Sequence, residues 1–149
     1  MPIALTIDET ILCVNSGIPD SQTKVMDQLK QIRGPLKTPW KEAPLVWQML
    51  TNRPMKGLKK FEKLENMAGM GFGEEATKSF LNFNGLKRII CGNNITNTGI
   101  ACYFGGRVLT IHTSSRSKED NKSVALLIAD RMIRIIRLNT TSDRNTSKK

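Results

Sequence analysis

Few residues of this 149-residue chain have the means to do chemistry. There is one histidine, His112, and there are three cysteines, Cys13, Cys91 and Cys102. No two cysteines stand in the C-x-x-C spacing that lets a pair of thiolates grip one metal ion. With a single imidazole beside them they make no tetrahedral zinc set. Neither a metal nor a cofactor is expected. His112 sits in an apolar run with no serine or cysteine nucleophile motif around it, which reads as a structural or surface histidine rather than a general base. Gly69-Met-Gly-Phe-Gly73 is glycine-rich, but no Lys-Ser/Thr pair follows it, so a flexible turn fits better than a phosphate loop. On these residues the chain reads as no enzyme.

Charge is the next signal. The formal net charge is +10 and the sequence pI is near 9.9, which favours an anionic partner, nucleic acid first. Residues 105–149 carry ten Lys or Arg against four acids, whereas residues 1–36 carry three against four, so the positive potential belongs to the C-terminal part. A basic surface kept for solubility explains the same numbers without any ligand. An odd cysteine count without a signal peptide points to a reducing, intracellular compartment, whether nucleus, cytoplasm or viral factory. No apolar run approaches the roughly 20 residues needed to span a bilayer, so no membrane association is expected.

The elements that must position these residues are clearest near the C-terminus. Ile100-Ala-Cys-Tyr-Phe and Arg107-Val-Leu-Thr-Ile-His112 flank Gly105-Gly106, which reads as a tight two-residue hairpin because glycine tolerates positive φ. Strand alternation then places Ile100, Cys102 and Phe104 on one face with Arg107, Leu109 and Ile111, and Ala101, Tyr103, Val108 and Thr110 on the other. Either face can be the core; if it is the Tyr103/Val108 side, an aromatic, aliphatics and an arginine are left exposed together. Ser117-Lys-Glu-Asp120 has the form of a helix cap, and a helix over 117–138 is expected. Its polar strip holds Asp130, Arg131, Arg134 and Arg137.

Upstream, residues 10–16 read as a strand, and a helix is expected from Asp20 or Ser21 through about Ile32. Residues 35–80 contain Pro35, Pro39, Pro44 and Pro54 and both tryptophans, Trp40 and Trp47. Short helices are expected near 44–51 and 55–67, a loop over 69–73, one more helical turn over 74–80 and a strand over 85–93. Residues 139–149 have no apolar side chain and read as a disordered basic tail. No internal repeat is visible. The expected organisation is a single α+β domain over 1–138, interrupted by a helical insertion at about 35–80.

The order of elements, with Val14-Asn15-Ser16-Gly17, Phe83-Asn-Gly-Leu-Lys-Arg-Ile-Ile90, Ala101-Cys-Tyr-Phe-Gly-Gly-Arg-Val-Leu109 and Ser117-Lys-Glu-Asp120, resembles one repeat of the TATA-binding protein family. The resemblance implies a half-saddle: a curved antiparallel sheet with two long helices on one face, the concave face lying in the minor groove of AT-rich double-stranded DNA. Phe83 and Phe104 would be wedge residues. Arg107, Leu109, Ile111, Ile11 and Cys13 would line the groove, and Lys87 and Arg88 complete the nucleic-acid-binding set. Arg131, Arg134 and Arg137 would face protein partners on the convex side. Because the family's saddle needs two repeats, a homodimer or a partner supplying the second repeat is implied. Two alternatives stay open: a double-stranded RNA-binding module, and a structural or assembly subunit, of a virion or transcription complex for instance, with no specific nucleic-acid readout.

Overall fold

The computed structural model describes residues 2–114, 122–130 and 132–138. In chain order the elements are β1 (Ala4–Ile7), β2 (Ile11–Val14), α1 (Val25–Gln31), α2 (Pro39–Glu42), α3 (Pro44–Thr51), β3 (Arg53–Pro54), β4 (Phe61–Lys63), β5 (Met70–Phe72), α4 (Glu74–Asn84), β6 (Arg88–Cys91), β7 (Ile100–Tyr103), β8 (Val108–Ile111), β9 (Ser123–Ala129) and β10 (Met132–Leu138). The fold is mixed α and β. Its main sheet has the order β1-β2-β6-β8-β7. β1 turns into β2 through Asp8 and Glu9, both at positive φ, closed by the Thr10 amide on the Ile7 carbonyl at 3.1 Å; such a turn matches the right-handed twist of the strands it joins.

The sheet is mixed rather than antiparallel. β2 pairs with β6, and β6 with β8, in parallel, while β1 and β7 run antiparallel at the two edges. Parallel neighbours need long crossovers, and everything from Asn15 to Lys87 serves as one: three of the four helices and the small sheet β3-β5-β4 lie in it, and α4 completes it. Alternation then fixes the core. Leu12, Val14, Ile89, Cys91 and Val108 point to one face, where Ile18, Val25, Met49, Phe72, Phe80 and Leu81 bury them. Residues 35–80 therefore do not stand apart, since Met49 and Phe72 share a core with Leu12 and Ile89.

Several sequence expectations fail for local reasons. The expected 117–138 helix is replaced, where it is described, by the antiparallel ribbon β9–β10. Its nearly continuous apolar run fits a buried strand as well as a helix, and its isoleucines favour the strand. Asp130, at φ 51, makes the turn. Ser117 to Asp120, Arg131 and the 139–149 tail lie outside the described residues. The expected 55–67 helix is a turn at Gly57 (φ +90) followed by β4, and the glycine-rich loop is β5. Gly73 is there because a Cβ would run into the Leu58 main chain. α4 runs to Asn84 rather than stopping at Phe80, and Gly85 caps it in the left-handed conformation. Phe83 is consequently helical. The hairpin β7–β8 pairs Tyr103 with Val108, so its loop is four residues, with Phe104 at φ 53.

Candidate active site at the carboxyl edge of the sheet

Because β2, β6 and β8 are parallel, their carboxyl ends lie along one edge, and in open α/β sheets that edge is where ligands bind. The three loops leaving it are Asn15-Ser16-Gly17, Gly92-Asn93-Asn94 and His112-Thr113-Ser114. They converge on Gly92. Its amide donates to the Asn15 carbonyl at 2.9 Å, and a Cβ placed on it would stand 3.5 Å from the Asn15 oxygen and 3.9 Å from the Ile111 oxygen. His112 is anchored through its main chain, its amide on the Gly99 carbonyl at 2.8 Å and its carbonyl accepting from Val124 at 2.9 Å.

A buried polar brace supports the first loop. The amides of Ser16 and Gly17 both donate to the Met49 carbonyl at 3.1 Å, and the Ser16 hydroxyl donates to the Asn52 carbonyl at 2.9 Å. The fully buried Asn52 side chain donates to the Ile18 carbonyl and accepts from the Met70 amide, each at 2.8 Å. Asn52 thus ties the loop after β2 to the end of α3 and the start of β5. Arg53 follows it, with a buried Nε that has no partner among the described residues.

The edge therefore offers the side-chain amides of Asn15, Asn93 and Asn94 and the imidazole of His112. Among the described residues no group of three or more His, Cys, Asp or Glu stands close enough to hold a metal ion. Cys13 and Cys91 are not poised as nucleophiles. Burial raises the Cys13 thiol and pushes Cys91 up to about 12, so neither becomes a thiolate at neutral pH. Asn93 stands at φ 51, a backbone state that asparagine tolerates better than most residues.

Of the residues singled out from sequence, Ile11, Cys13, Leu109 and Ile111 do share the sheet face away from the core. Phe83 and Phe104 do not join them. Phe83 lies on α4 under the Lys24 ammonium, 5.3 Å from its ring centre, while Phe104 leaves the strand alternation and packs against the core beside Tyr103. Arg107 turns its guanidinium back to the Phe104 carbonyl at 2.9 Å. Lys87 and Arg88 sit at the amino end of β6, opposite the candidate edge, and Arg88 Nε donates to the Gly106 carbonyl at 2.9 Å. Arg134 and Arg137, three apart on a strand, fall on opposite faces, so the polar helix strip dissolves. Sequence reading missed Asn15, Asn93 and Asn94. The available signal was that two of these loops, and His112, each directly follow an apolar strand.

No family model matches the chain. It is 30% identical over 113 residues to the serine/threonine-protein phosphatase 6 catalytic subunit of Drosophila melanogaster, covering 74% of this chain and 35% of that one. It is 31% identical over 115 residues to the PP2A-like serine/threonine-protein phosphatase PPG1 of Saccharomyces cerevisiae, covering 70% and 31%. The chain thus spans about a third of the length of the curated relatives it matches. In fold it is similar to a Saccharomyces cerevisiae protein serine/threonine phosphatase with similarity to human phosphatase PP5, at TM-score 0.80 and 16% identity over 97% of this chain and 49% of that one. These likenesses overturn the resemblance to the TATA-binding protein family and, with it, the DNA-binding transcription reading and the AT-rich DNA partner. They support neither an RNA-binding module nor an assembly subunit. The relatives bear the name of an enzyme, so the reading of no enzyme falls too. In sequence the chain is similar to serine/threonine-protein phosphatases, and in fold to one of them.

Proposed function

We propose that this chain is part of a serine/threonine protein phosphatase domain and that the carboxyl edge of β2, β6 and β8 receives the phosphorylated side chain. The observation that carries the reading is the convergence of three polar loops on Gly92, in a chain whose relatives are named phosphatases. Phosphatases commonly hold two metal ions that activate water and neutralise the phosphoryl oxygens. The residues at this edge do not fit that role alone. Asn15, Asn93 and Asn94 are neutral amides and His112 is a single imidazole, whereas divalent cations that bind phosphate are held by carboxylates and several imidazoles. What these residues supply is hydrogen-bond donors to phosphate oxygens.

A phosphoserine peptide tests the reading. Amide resonances of residues 15–17, 92–94 and 112 should shift on its addition and stay still with the unphosphorylated peptide. Inorganic phosphate released from the same peptide measures turnover, and Asn15→Ala should lower both. An equal response to both peptides, or shifts confined to other faces, overturns the site; binding at this edge with no phosphate release overturns the hydrolytic role.

A further inference from the structure

Two cavities meet at the start of α4, and neither shares a residue with the carboxyl-edge loops. The first, about 590 Å³, is lined by Phe61, Phe80 and Phe83 with Pro19 and Ala76. Phe83 is 40% exposed there. The second, about 490 Å³, gathers Lys56, Lys59 and Lys78 around Leu58 and Phe104. Glu75 lines both, and the neighbours Lys59 and Lys60 fall one on each side, so an aromatic pocket opens directly beside a basic one.

The main chain fixes this arrangement. The Leu58 carbonyl accepts from the Glu74 amide at 3.2 Å, and the Lys59 carbonyl accepts from the Glu75 and Ala76 amides at 2.8 and 3.1 Å. The turn that carries the lysines is thereby tied to the first turn of α4. Those carbonyls also occupy the amides at the amino end of the helix, which leaves the ammonium groups as the part that meets an anion. Positive charge is in excess. Glu74 is already committed, 2.7 Å from Lys78 and 3.9 Å from Arg107. Among the described residues neither Lys56 nor Lys59 is paired with a carboxylate; the Lys56 ammonium lies over the Tyr103 ring, 5.8 Å from its centre. Phe104 reaches the basic pocket from φ 53, a strained state for an aromatic residue, and the Arg107 guanidinium secures it by donating to the Phe104 carbonyl at 2.9 Å.

We infer that the two pockets form one docking groove for an acidic segment of a partner protein. The segment places one large apolar side chain among Phe61, Phe80 and Phe83 and lays carboxylates beside it on the lysines. Charge complementarity selects this occupant. Lys56, Lys59, Lys78 and Arg107 stand against Glu74 and Glu75, and the unpaired ammonium groups lie next to an apolar hollow rather than on a flat surface. An anionic bilayer would meet the lysines and leave the phenylalanine pocket empty, whereas a protein segment fills both. A desolvated anchor in an aromatic pocket supplies most of the affinity of such a contact, and the surrounding charges set partner choice and the rate of encounter. The docking is independent of the chemistry at the carboxyl edge.

Two fluorescein-labelled polyglutamate peptides test it by fluorescence anisotropy, one with a tryptophan at its amino end and the other with a tryptophan at its carboxyl end. At least one should bind, and the amide resonances of residues 57–60, 74–79 and 104–107 should shift while those of 15–17 and 92–94 stay still. Replacing the glutamates by glutamine, or the tryptophan by alanine, should weaken binding by about tenfold. Phe83→Ala should do the same, as should Lys56→Glu combined with Lys59→Glu, with far-UV circular dichroism showing that both variants fold. Lys41→Glu, exposed on α2, should leave binding unchanged. Binding of neither peptide, equal affinity for the glutamine version, or indifference to both Phe83→Ala and the lysine pair overturns the inference. So does tighter binding to phosphatidylserine vesicles that Phe83→Ala leaves unchanged. Because the peptides carry no phosphate, the outcome is separate from that of the phosphopeptide experiment.

Discussion

Asn52→Ala isolates the brace behind the candidate site. The side chain is fully buried and serves two main-chain groups from different parts of the chain, the Ile18 carbonyl and the Met70 amide, each at 2.8 Å. Truncation strands both. A buried donor or acceptor without a partner costs about 1–3 kcal/mol, so the variant should lose about 2–6 kcal/mol of folding free energy, a large part of what a small domain has to spare. Urea unfolding followed by tryptophan fluorescence suits the measurement, because Trp47 lies on α3, the helix that Asn52 terminates. Asn52→Asp sharpens it. The new carboxylate still accepts from Met70 but faces the Ile18 carbonyl with no proton to donate, so its destabilisation should ease as the pH falls and the acid reprotonates. A loss under about 1 kcal/mol for Asn52→Ala, or an Asn52→Asp variant indifferent to pH, would refute the idea that this amide ties the site loop to α3 and β5.

The remaining expectations concern burial and backbone. The Cys91 thiol is raised by burial from an ordinary 9.0 to about 12. A raised pKa gives stability that is complete below the unfolded value and lost as pH climbs toward the folded one. Stability should therefore fall by up to about 1.4 kcal/mol per pH unit above pH 9, and Cys91→Ala should flatten that slope; an unchanged slope places the alkaline transition elsewhere. Gly17→Ala should be severe, because its Cβ would overlap the Asn52 carbonyl and stand 2.8 Å from Phe72 Cε1, neither free to move. Gly85→Ala meets nothing within 4 Å and should cost only about 1–2 kcal/mol for a left-handed alanine. Equal losses at the two glycines, measured by thermal unfolding, would mean that close approach is not what Gly17 provides.

Short-range chemistry was legible in the sequence where one signal spoke alone. Alternation placed Leu109 and Ile111 opposite Val108 and Thr110, and Pro44 opened a helix that runs to Thr51. It failed where two periods fitted the same residues. From Val124 to Leu138 the apolar positions are too dense to show a period, so helix and strand differ only in what else must cover them, and that information lies outside the ribbon. Phe83 and Phe104 failed for a different reason: Phe83 lies in the last turn of α4, two residues before its left-handed glycine cap, and Phe104 opens a four-residue loop one residue past β7, so neither follows strand alternation.

The candidate site was hidden by strand direction rather than by residue type. With β2, β6 and β8 read as antiparallel, Asn15, Asn93 and His112 fall alternately on opposite ends of the sheet and look like unrelated loop residues. With the same strands parallel, the three arrive at one edge, and the Gly92 amide meets the Asn15 carbonyl. What makes β2 and β6 parallel is the long crossover from Asn15 to Lys87, since the return to β6 in the same sense needs α1, α3, β5 and α4 to pack over one face. The segment that looked like an insertion into an antiparallel unit is therefore the connection that orients the strands. It assembles the polar edge on which the phosphatase reading rests.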